Sequence, residues 1–210
     1  MAILTSLRNL VATIREDLRA HGGDPTKPGF QTLAVHRFGV YVHSLPRVLA
    51  RKPLVAAYRA GYVFCRNFYS IELPYSAKVG RRVVIEHQGG IVVHGASEIG
   101  DDCILRQGVT LGNRHLSSPM DAPVLGNRVN VGAGAKILGA VRLGDGSAVG
   151  ANAVVTRDVP AGLTAVGIPA RPLLSYERQA PSAKAYNRGV SEEGEVPPLA
   201  PTPPRVRQRS

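Results

Sequence analysis

The sequence contains no tryptophan, and aromatic residues make up 5% of its 210 positions. Any core built from this chain must therefore be mainly aliphatic. Its two cysteines, Cys65 and Cys103, form neither a metal-binding nor a disulfide pattern. No secretory signal and no long apolar run is visible, so we expect a cytoplasmic protein without a membrane span.

Acidic residues are also scarce, with 15 Asp and Glu against 26 Lys and Arg, which gives a formal net charge of +11. A basic surface suits nucleic acid, an anionic membrane or an anionic cofactor. No nucleic-acid-binding motif is present, so we predict no nucleic-acid function. Part of the excess lies in residues 175–210, which are rich in Pro, Ser, Glu and Arg. We predict that this Pro-rich tail is disordered, because it has few large apolar residues to bury.

What is abundant is a six-residue repeat of aliphatic residues, often followed by glycine. The repeating positions are Leu73, Val79, Ile85, Val93, Ile99, Leu105, Leu111, Leu125, Val131, Ile137, Leu143, Val149 and Val155. Four places after most of them stands a small or Val-sized residue, Cys103 among them. This period fits neither a helix nor a simple alternating strand, but it fits a β-solenoid with a corner every six residues.

We therefore predict a mainly β fold in which both members of each repeat point inward and each coil is covered by its neighbours. The glycine after each aliphatic residue would supply a positive φ or a close backbone approach. A sandwich of short strands is the alternative. The predicted organisation is an N-terminal helical region at 1–70, the solenoid at 71–174 with an extruded loop at 113–124, and the tail at 175–210. A terminal strand and turn at 166–170 should cap the last coil, after 158–162 breaks it.

Three helices are predicted before the solenoid. The first runs from Thr5, a plausible N-cap, to about Ala20, where Gly22-Gly23 stops it. Its apolar stripe comprises Leu7, Leu10, Val11, Ile14 and Leu18. The others span about 30–43 and 52–70. Their apolar faces need a partner, which the first coil or another subunit would supply.

The repeat is interrupted after Ile85 by the segment Glu86-His87-Gln88-Gly89-Gly90. Histidine titrates near neutral pH and is the usual general base, so His87 is a candidate catalytic residue. A carboxylate nearby would orient the imidazole ring and stabilise its protonated form, and Glu86 and Glu72 are the candidates. A histidine in a turn can equally be a plain surface residue.

A second candidate cluster lies at Gly132–Lys136 and Gly150–Ala153. Small residues expose backbone N–H groups that suit the phosphates and amides of an extended ligand. Lys136 could meet a phosphate or only water. The alternative is that any hexapeptide coil needs small residues at its corners.

Taken together, these stretches resemble the serine O-acetyltransferases, within the hexapeptide-repeat acyltransferase superfamily. The resemblance covers about Asp17 to Leu173 and rests on two helical stretches, Pro28-Gly29-Phe30 and His36-Arg37, and on the ungapped stretch from Glu72 to His87. The solenoid segments at 90–93, 107–112, 132–139 and 166–170 are similar to that family as well.

The resemblance implies a left-handed parallel β-helix, a homotrimer with active sites between subunits (and in some members a dimer of trimers), and acetyl-CoA as donor, with no metal. It implies that His87 deprotonates the acceptor hydroxyl and that Glu72 orients His87. Glu86 would contact the amine of L-serine, in a step of cysteine biosynthesis. The coenzyme cleft would be lined by Ala133, Gly134, Lys136, Gly150 and Ala151.

Two departures from the family pattern affect the acceptor site. Glu72 and Glu86 stand where the family has Asp, so each side chain is one methylene longer. Asp121 and Ala122 stand where the family's loop carries the Arg and His that help to hold the substrate. Arg114 and His115, earlier in the loop, are the candidate replacements.

These departures keep other functions open. The acceptor could be a sugar hydroxyl of a polysaccharide or glycan precursor. A zinc carbonic-anhydrase-like β-helix would need three histidines around an open metal position, for which His87, His94 and His115 are available. A basic scaffold without catalysis is the remaining alternative.

Overall fold

The structure is a computed structural model that describes residues 7–46 and 51–173. Three helices come first: α1 (Leu7–Ala20), α2 (Pro28–Ser44) and α3 (Arg51–Phe68). They match the three predicted helices to within about two residues at each described end. The proposed N-cap Thr5 and the tail at 175–210 lie outside the described residues.

Within the described residues, fifteen short strands follow the helices. They are β1 (Ile71–Glu72), β2 (Lys78–Val79), β3 (Val84–Glu86), β4 (Ile91–Val93), β5 (Glu98–Ile99), β6 (Ile104–Arg106), β7 (Thr110–Gly112), β8 (Val124–Leu125), β9 (Asn130–Val131), β10 (Lys136–Leu138), β11 (Arg142–Leu143), β12 (Ala148–Val149), β13 (Val154–Val155), β14 (Thr164–Gly167) and β15 (Ala170–Leu173). Every pair is parallel except β14 with β15, which is antiparallel.

The strands form three sheets, and each coil adds one strand to each sheet. The orders are β1-β4-β7-β10-β13 (sheet A), β11-β8-β5-β2 (sheet B) and β15-β14-β12-β9-β6-β3 (sheet C). This is the predicted parallel β-solenoid, because a sandwich would not pair each strand with the third one along the chain. All thirteen repeating aliphatics are buried, and so is Cys103. The narrow core therefore needs no aromatic residue.

The glycines that follow the aliphatics serve the second of the two predicted purposes. A Cβ on Gly100 would lie 2.4 Å from the carbonyl oxygen of Gly126, in the next coil. These glycines do not have positive φ; that conformation falls elsewhere at the corners and includes Arg82, Asp102 and Arg128, with φ of 54° to 58°. Except at Gly112, where the nearest atom to a Cβ would be 3.5 Å away, glycine after the aliphatic is thus required by coil-to-coil contact and not by the backbone angle.

The end of the solenoid differs in one respect from the prediction. Residues 158–162 do not break the coil, because Val159 is buried and bridges Leu143 in parallel. The chain then continues into β14 and turns back through a cis Ile168–Pro169 bond into β15. The predicted capping strand and turn at 166–170 are therefore confirmed, as an antiparallel hairpin on sheet C.

The helices pack on the first coil, which is one of the two partners predicted for their apolar faces. Helix α2 contacts β3, and α3 contacts β1. Arg37 of α2 donates hydrogen bonds to the carbonyl oxygen of Val79 (2.7 Å) and pairs with Asp17 of α1 (2.9 Å), with both charged side chains almost fully buried. One buried ion pair thus connects α1, α2 and the coil.

The predicted apolar stripe of α1 is only partly the buried face. Leu10 is buried, but Leu7 and Val11 are 61% and 40% exposed. The buried face instead carries Asp17, because Arg37 needs a counterion there. No helix in the described ranges is long and apolar enough to cross a membrane.

Candidate functional site

The interrupted repeat forms a widened corner between β3 and β4. Ile85 and Val93, which begin successive repeats, are eight residues apart, where Leu105 and Leu111 in the next coil are six apart. The extra length is taken up by left-handed backbone at His87 (φ 63°), Gly89 and Gly90. The His87 side chain is exposed. The corner therefore presents an accessible imidazole, as the sequence predicts.

A cavity of about 550 Å³ adjoins this corner. Three segments line it: 20–22 at the end of α1, 27–29 at the start of α2, and 84–88, which covers β3 and the corner. Glu86 and His87 therefore face the same space as the loop between the first two helices.

His21 and Gly29 hold this cavity in shape. The backbone N–H of Ile85 donates to His21 Nε2 (3.2 Å), and His21 Nδ1 lies 2.7 Å from the carbonyl oxygen of Asp17. Both contacts are satisfied when His21 is neutral with its proton on Nδ1. A Cβ on Gly29 would lie 2.1 Å from the carbonyl oxygen of Ile85, so only glycine lets α2 approach β3 this closely.

Glu86 has a partner within the chain. Its Oε2 lies 2.8 Å from Nε of Arg106, which also donates to Asn130 Oδ1 (2.5 Å). This ion pair fixes the position of the carboxylate beside the cavity, while Oε1 remains able to accept a hydrogen bond.

Glu72 lies at the end of β1 and is bonded to a helix. Tyr62 of α3 donates to Glu72 Oε1 at 3.2 Å. Burial, together with the Glu72 carboxylate, raises the pKa of Tyr62, so its hydroxyl stays a donor. Within the described residues no hydrogen bond joins Glu72 to His87, and the role of Glu72 in orienting His87 stays a prediction.

Arg114 and His115 are exposed on the loop between β7 and β8, which starts where the sequence predicts it. This corner joins sheets A and B, whereas the His87 corner joins sheets C and A. Neither residue lines the cavity next to His87 in the described chain. Nor does the described chain hold any group of three metal-binding side chains, so His87, His94 and His115 do not converge within it.

The second predicted cluster lies along the same edge of the solenoid as His87. The corners at 132–135 and 150–153 follow the 87–90 corner in the stack, with Gly90 against Gly108 and Gly108 against Gly134. At a spacing of about 4.8 Å per coil, three coils separate the first corner from the last by about 14 Å. An extended ligand on this edge can therefore reach both clusters.

The polar groups of this second cluster are not all free. The N–H groups of Gly134 and Gly150 bond the carbonyl oxygens of Gln107 and Ala165. Lys136 donates to Thr110 Oγ1 (3.2 Å) and to the carbonyl oxygen of Gly108.

The amides of Ala133 and Ala151 make no hydrogen bond within the described residues. Of the five residues predicted to hold the coenzyme, these two offer unpaired amide donors.

Sequence reasoning missed His21 and Lys27 as lining residues of the His87 cavity. His21 precedes the helix-terminating Gly22-Gly23, and Lys27 directly precedes Pro28-Gly29-Phe30. Their proximity to that motif was the available signal. His36, part of the other helical stretch, lies away from the cavity and is fully buried, with Nε2 3.0 Å from the carbonyl oxygen of Ala77.

The family model and the related proteins that match this chain point to the same family. Residues 122–157 match the family model "Bacterial transferase hexapeptide (six repeats)". Serine acetyltransferase from Helicobacter pylori (strain J99) is 42% identical over 144 residues, which is 69% of this chain and 80% of that protein. The enzyme from Synechococcus elongatus is 37% identical over 149 residues. That alignment covers 69% of this chain but only 56% of the relative.

Solved structures of the same kind share the fold. Soybean serine acetyltransferase complexed with serine has a TM-score of 0.67 and 30% identity, covering 79% of this chain and 70% of that one. Serine acetyltransferase from Brucella abortus strain S19 in complex with coenzyme A has a TM-score of 0.67 and 26% identity, covering 81% and 70%. The hexapeptide coils, the helices packed on the first coil and these alignments together show that this chain belongs to the serine acetyltransferase family.

Proposed function

We propose that this protein transfers the acetyl group of acetyl-CoA to the hydroxyl of L-serine, giving O-acetyl-L-serine and coenzyme A. The observation that carries the proposal is the accessible His87, placed beside a cavity and on the same edge as the unpaired amides of Ala133 and Ala151. The serine and coenzyme A complexes of related enzymes support the choice of substrates.

In the proposed mechanism His87 accepts the hydroxyl proton as the serine oxygen attacks the thioester carbonyl. The tetrahedral intermediate then collapses, the carbon–sulfur bond breaks, and the proton passes from His87 to the departing coenzyme A thiolate. Glu72 would orient the imidazole, and Oε1 of Glu86 would accept a hydrogen bond from the serine ammonium. The chemistry needs no metal.

The coenzyme would lie along the edge formed by 132–136 and 150–151. The amides of Ala133 and Ala151 would donate to its carbonyl or phosphate groups. Gly134 and Gly150 would keep the corner narrow. Lys136 would stabilise it through its hydrogen bonds to Thr110 and to the carbonyl oxygen of Gly108. We propose a homotrimer with the site between subunits, in which Arg114 and His115 reach the acceptor of a neighbouring subunit.

A sugar hydroxyl is the second candidate acceptor. It is favoured by Asp121 and Ala122, which replace the cationic residues of the family's loop. A neutral acceptor would not need those cations, whereas a carboxylate left without a partner loses much of its affinity.

The test is thiol release from acetyl-CoA with L-serine, a panel of sugars, or no acceptor, for the wild type and for His87→Ala. We expect serine-dependent release that falls by about 10²–10⁴ in kcat in the variant, since His87 acts as a general base. His94→Ala, at another corner, is the matched control. Thiol release with a sugar but not with L-serine would show that the acceptor is the sugar hydroxyl. If none of the acceptors tested causes thiol release, the acetyltransferase proposal fails.

A further inference from the structure

Lys27 places a positive charge in the His87 cavity. Its ammonium group donates to the carbonyl oxygen of His21 at 2.8 Å, and its side chain is otherwise exposed. An ammonium has three hydrogens, so donors remain for a ligand. Among the described residues that line this cavity, Lys27 is the one lysine or arginine.

The backbone around Lys27 keeps this charge close to β3. Lys27 is the residue before α2, and Pro28 is the first helical position. Gly29 touches the carbonyl oxygen of Ile85, two residues before His87. The start of α2, a helix of 17 residues, adds the positive end of its dipole to the same region. The positive potential here is thus built from both a side chain and a helix.

The cavity therefore contains three different groups: the ammonium of Lys27, the carboxylate of Glu86 and the imidazole of His87. A hydroxy amino acid carries the three complementary groups, namely a carboxylate, an ammonium and a hydroxyl. A sugar hydroxyl carries no charge for either ion to meet. The combination favours a small zwitterion over a neutral acceptor.

We propose that Lys27 binds the α-carboxylate of the acceptor and so selects an amino acid over other hydroxyl compounds. This inference rests on the proposed acetyl transfer to L-serine. In this chain Asp121 and Ala122 replace the cationic residues of the family's loop. Lys27, in the helical region, would take over their role.

The experiment compares L-serine with L-serinamide, which keeps the amine and the hydroxyl but has no carboxylate. In Lys27→Met we expect kcat/KM for L-serine to fall roughly 10-fold, mainly through KM, as one charge-assisted contact is lost. L-serinamide should be affected little, and Lys27→Arg should keep most of the activity with L-serine. Lys52→Met, at an exposed position on α3, is the matched control.

Three results would overturn the inference. Equal losses with both acceptors would mean that Lys27 supports the structure and does not read the carboxylate. An unchanged kcat/KM for L-serine would mean that Lys27 takes no part in acceptor binding. If the wild type does not acetylate L-serine at all, the proposed function fails as well, which separates that outcome from the other two.

Discussion

Replacing Asp17 with leucine should destabilise the protein severely, although the new side chain is apolar and the position is buried. Asp17 is 0% exposed and its partner Arg37 is 3% exposed, so the guanidinium cannot turn to water when its counterion is lost. Removing one member of such a pair costs about 3–5 kcal/mol in the free energy of unfolding. For a chain of this size this corresponds to a fall in Tm of about 6–20 °C.

The remaining contacts of Arg37 decide how much can be recovered. Its hydrogen bonds to the carbonyl oxygens of Val79 (2.7 Å) and Gly80 (2.5 Å) persist in the variant, but neither acceptor is charged. In Asp17→Leu/Arg37→Met no charge stays buried, so the double variant should be more stable than the sum of the single losses predicts.

The assay is urea unfolding followed by circular dichroism at one fixed protein concentration, because any association would make the midpoint concentration-dependent. Glu16→Gln is the matched control, since Glu16 pairs with Arg81 on the surface, where the side chains are 24% and 49% exposed. It should cost less than about 1 kcal/mol. A loss below about 1 kcal/mol in Asp17→Leu, or strict additivity in the double variant, would refute the reasoning.

Two further predictions concern the coil contacts and acid stability. Gly100→Ala should cost about 1–3 kcal/mol, because its Cβ would meet the carbonyl oxygen of Gly126, whereas at Gly112, where the nearest atom is 3.5 Å away, alanine should be close to neutral. Equal urea midpoints for these two variants would contradict this explanation. Burial, helped by the charge of Arg37, lowers the pKa of His36 to about 3. In the unfolded chain His36 takes up a proton near pH 6.5, so its contribution to stability is complete above that pH. The free energy of unfolding then falls by at most about 1.4 kcal/mol per pH unit between pH 6.5 and 3. In His36→Gln the free energy of unfolding, measured at pH 7, 6, 5 and 4, should depend less steeply on pH, and an unchanged dependence would contradict this explanation.

The solenoid could be predicted from the sequence because its rule is local and repeated. Each inward aliphatic residue, such as Ile99 or Leu111, carries the same information, so a single exception does not obscure the period. The extra residues at His87 and in the loop after β7 were visible for the same reason. The continuation of the coil through Val159 was missed, because Asp158 and Pro160 on either side resemble a terminator.

The helical region and the site were harder to predict, because their contacts join residues far apart in the chain. The pair formed by Asp17 and Arg37 spans 20 residues, and the contact between His21 and Ile85 spans 64. A helical wheel places Asp17 beside Leu10 at the edge of the apolar stripe, but it contains no information about a buried arginine on another helix. Lys27 likewise enters the cavity only through the packing of Gly29 on β3.

The two ends of the solenoid have a consequence for how copies of the chain can associate. A stack of parallel strands offers open hydrogen-bonding edges at both ends and could in principle grow into a fibre. Here α2 and α3 pack on the first coil, and β15 runs antiparallel to β14 at the last one. An antiparallel strand does not offer the parallel register that another first coil would need. Within the described residues, the two ends of the solenoid therefore do not present matching parallel edges in sheet C.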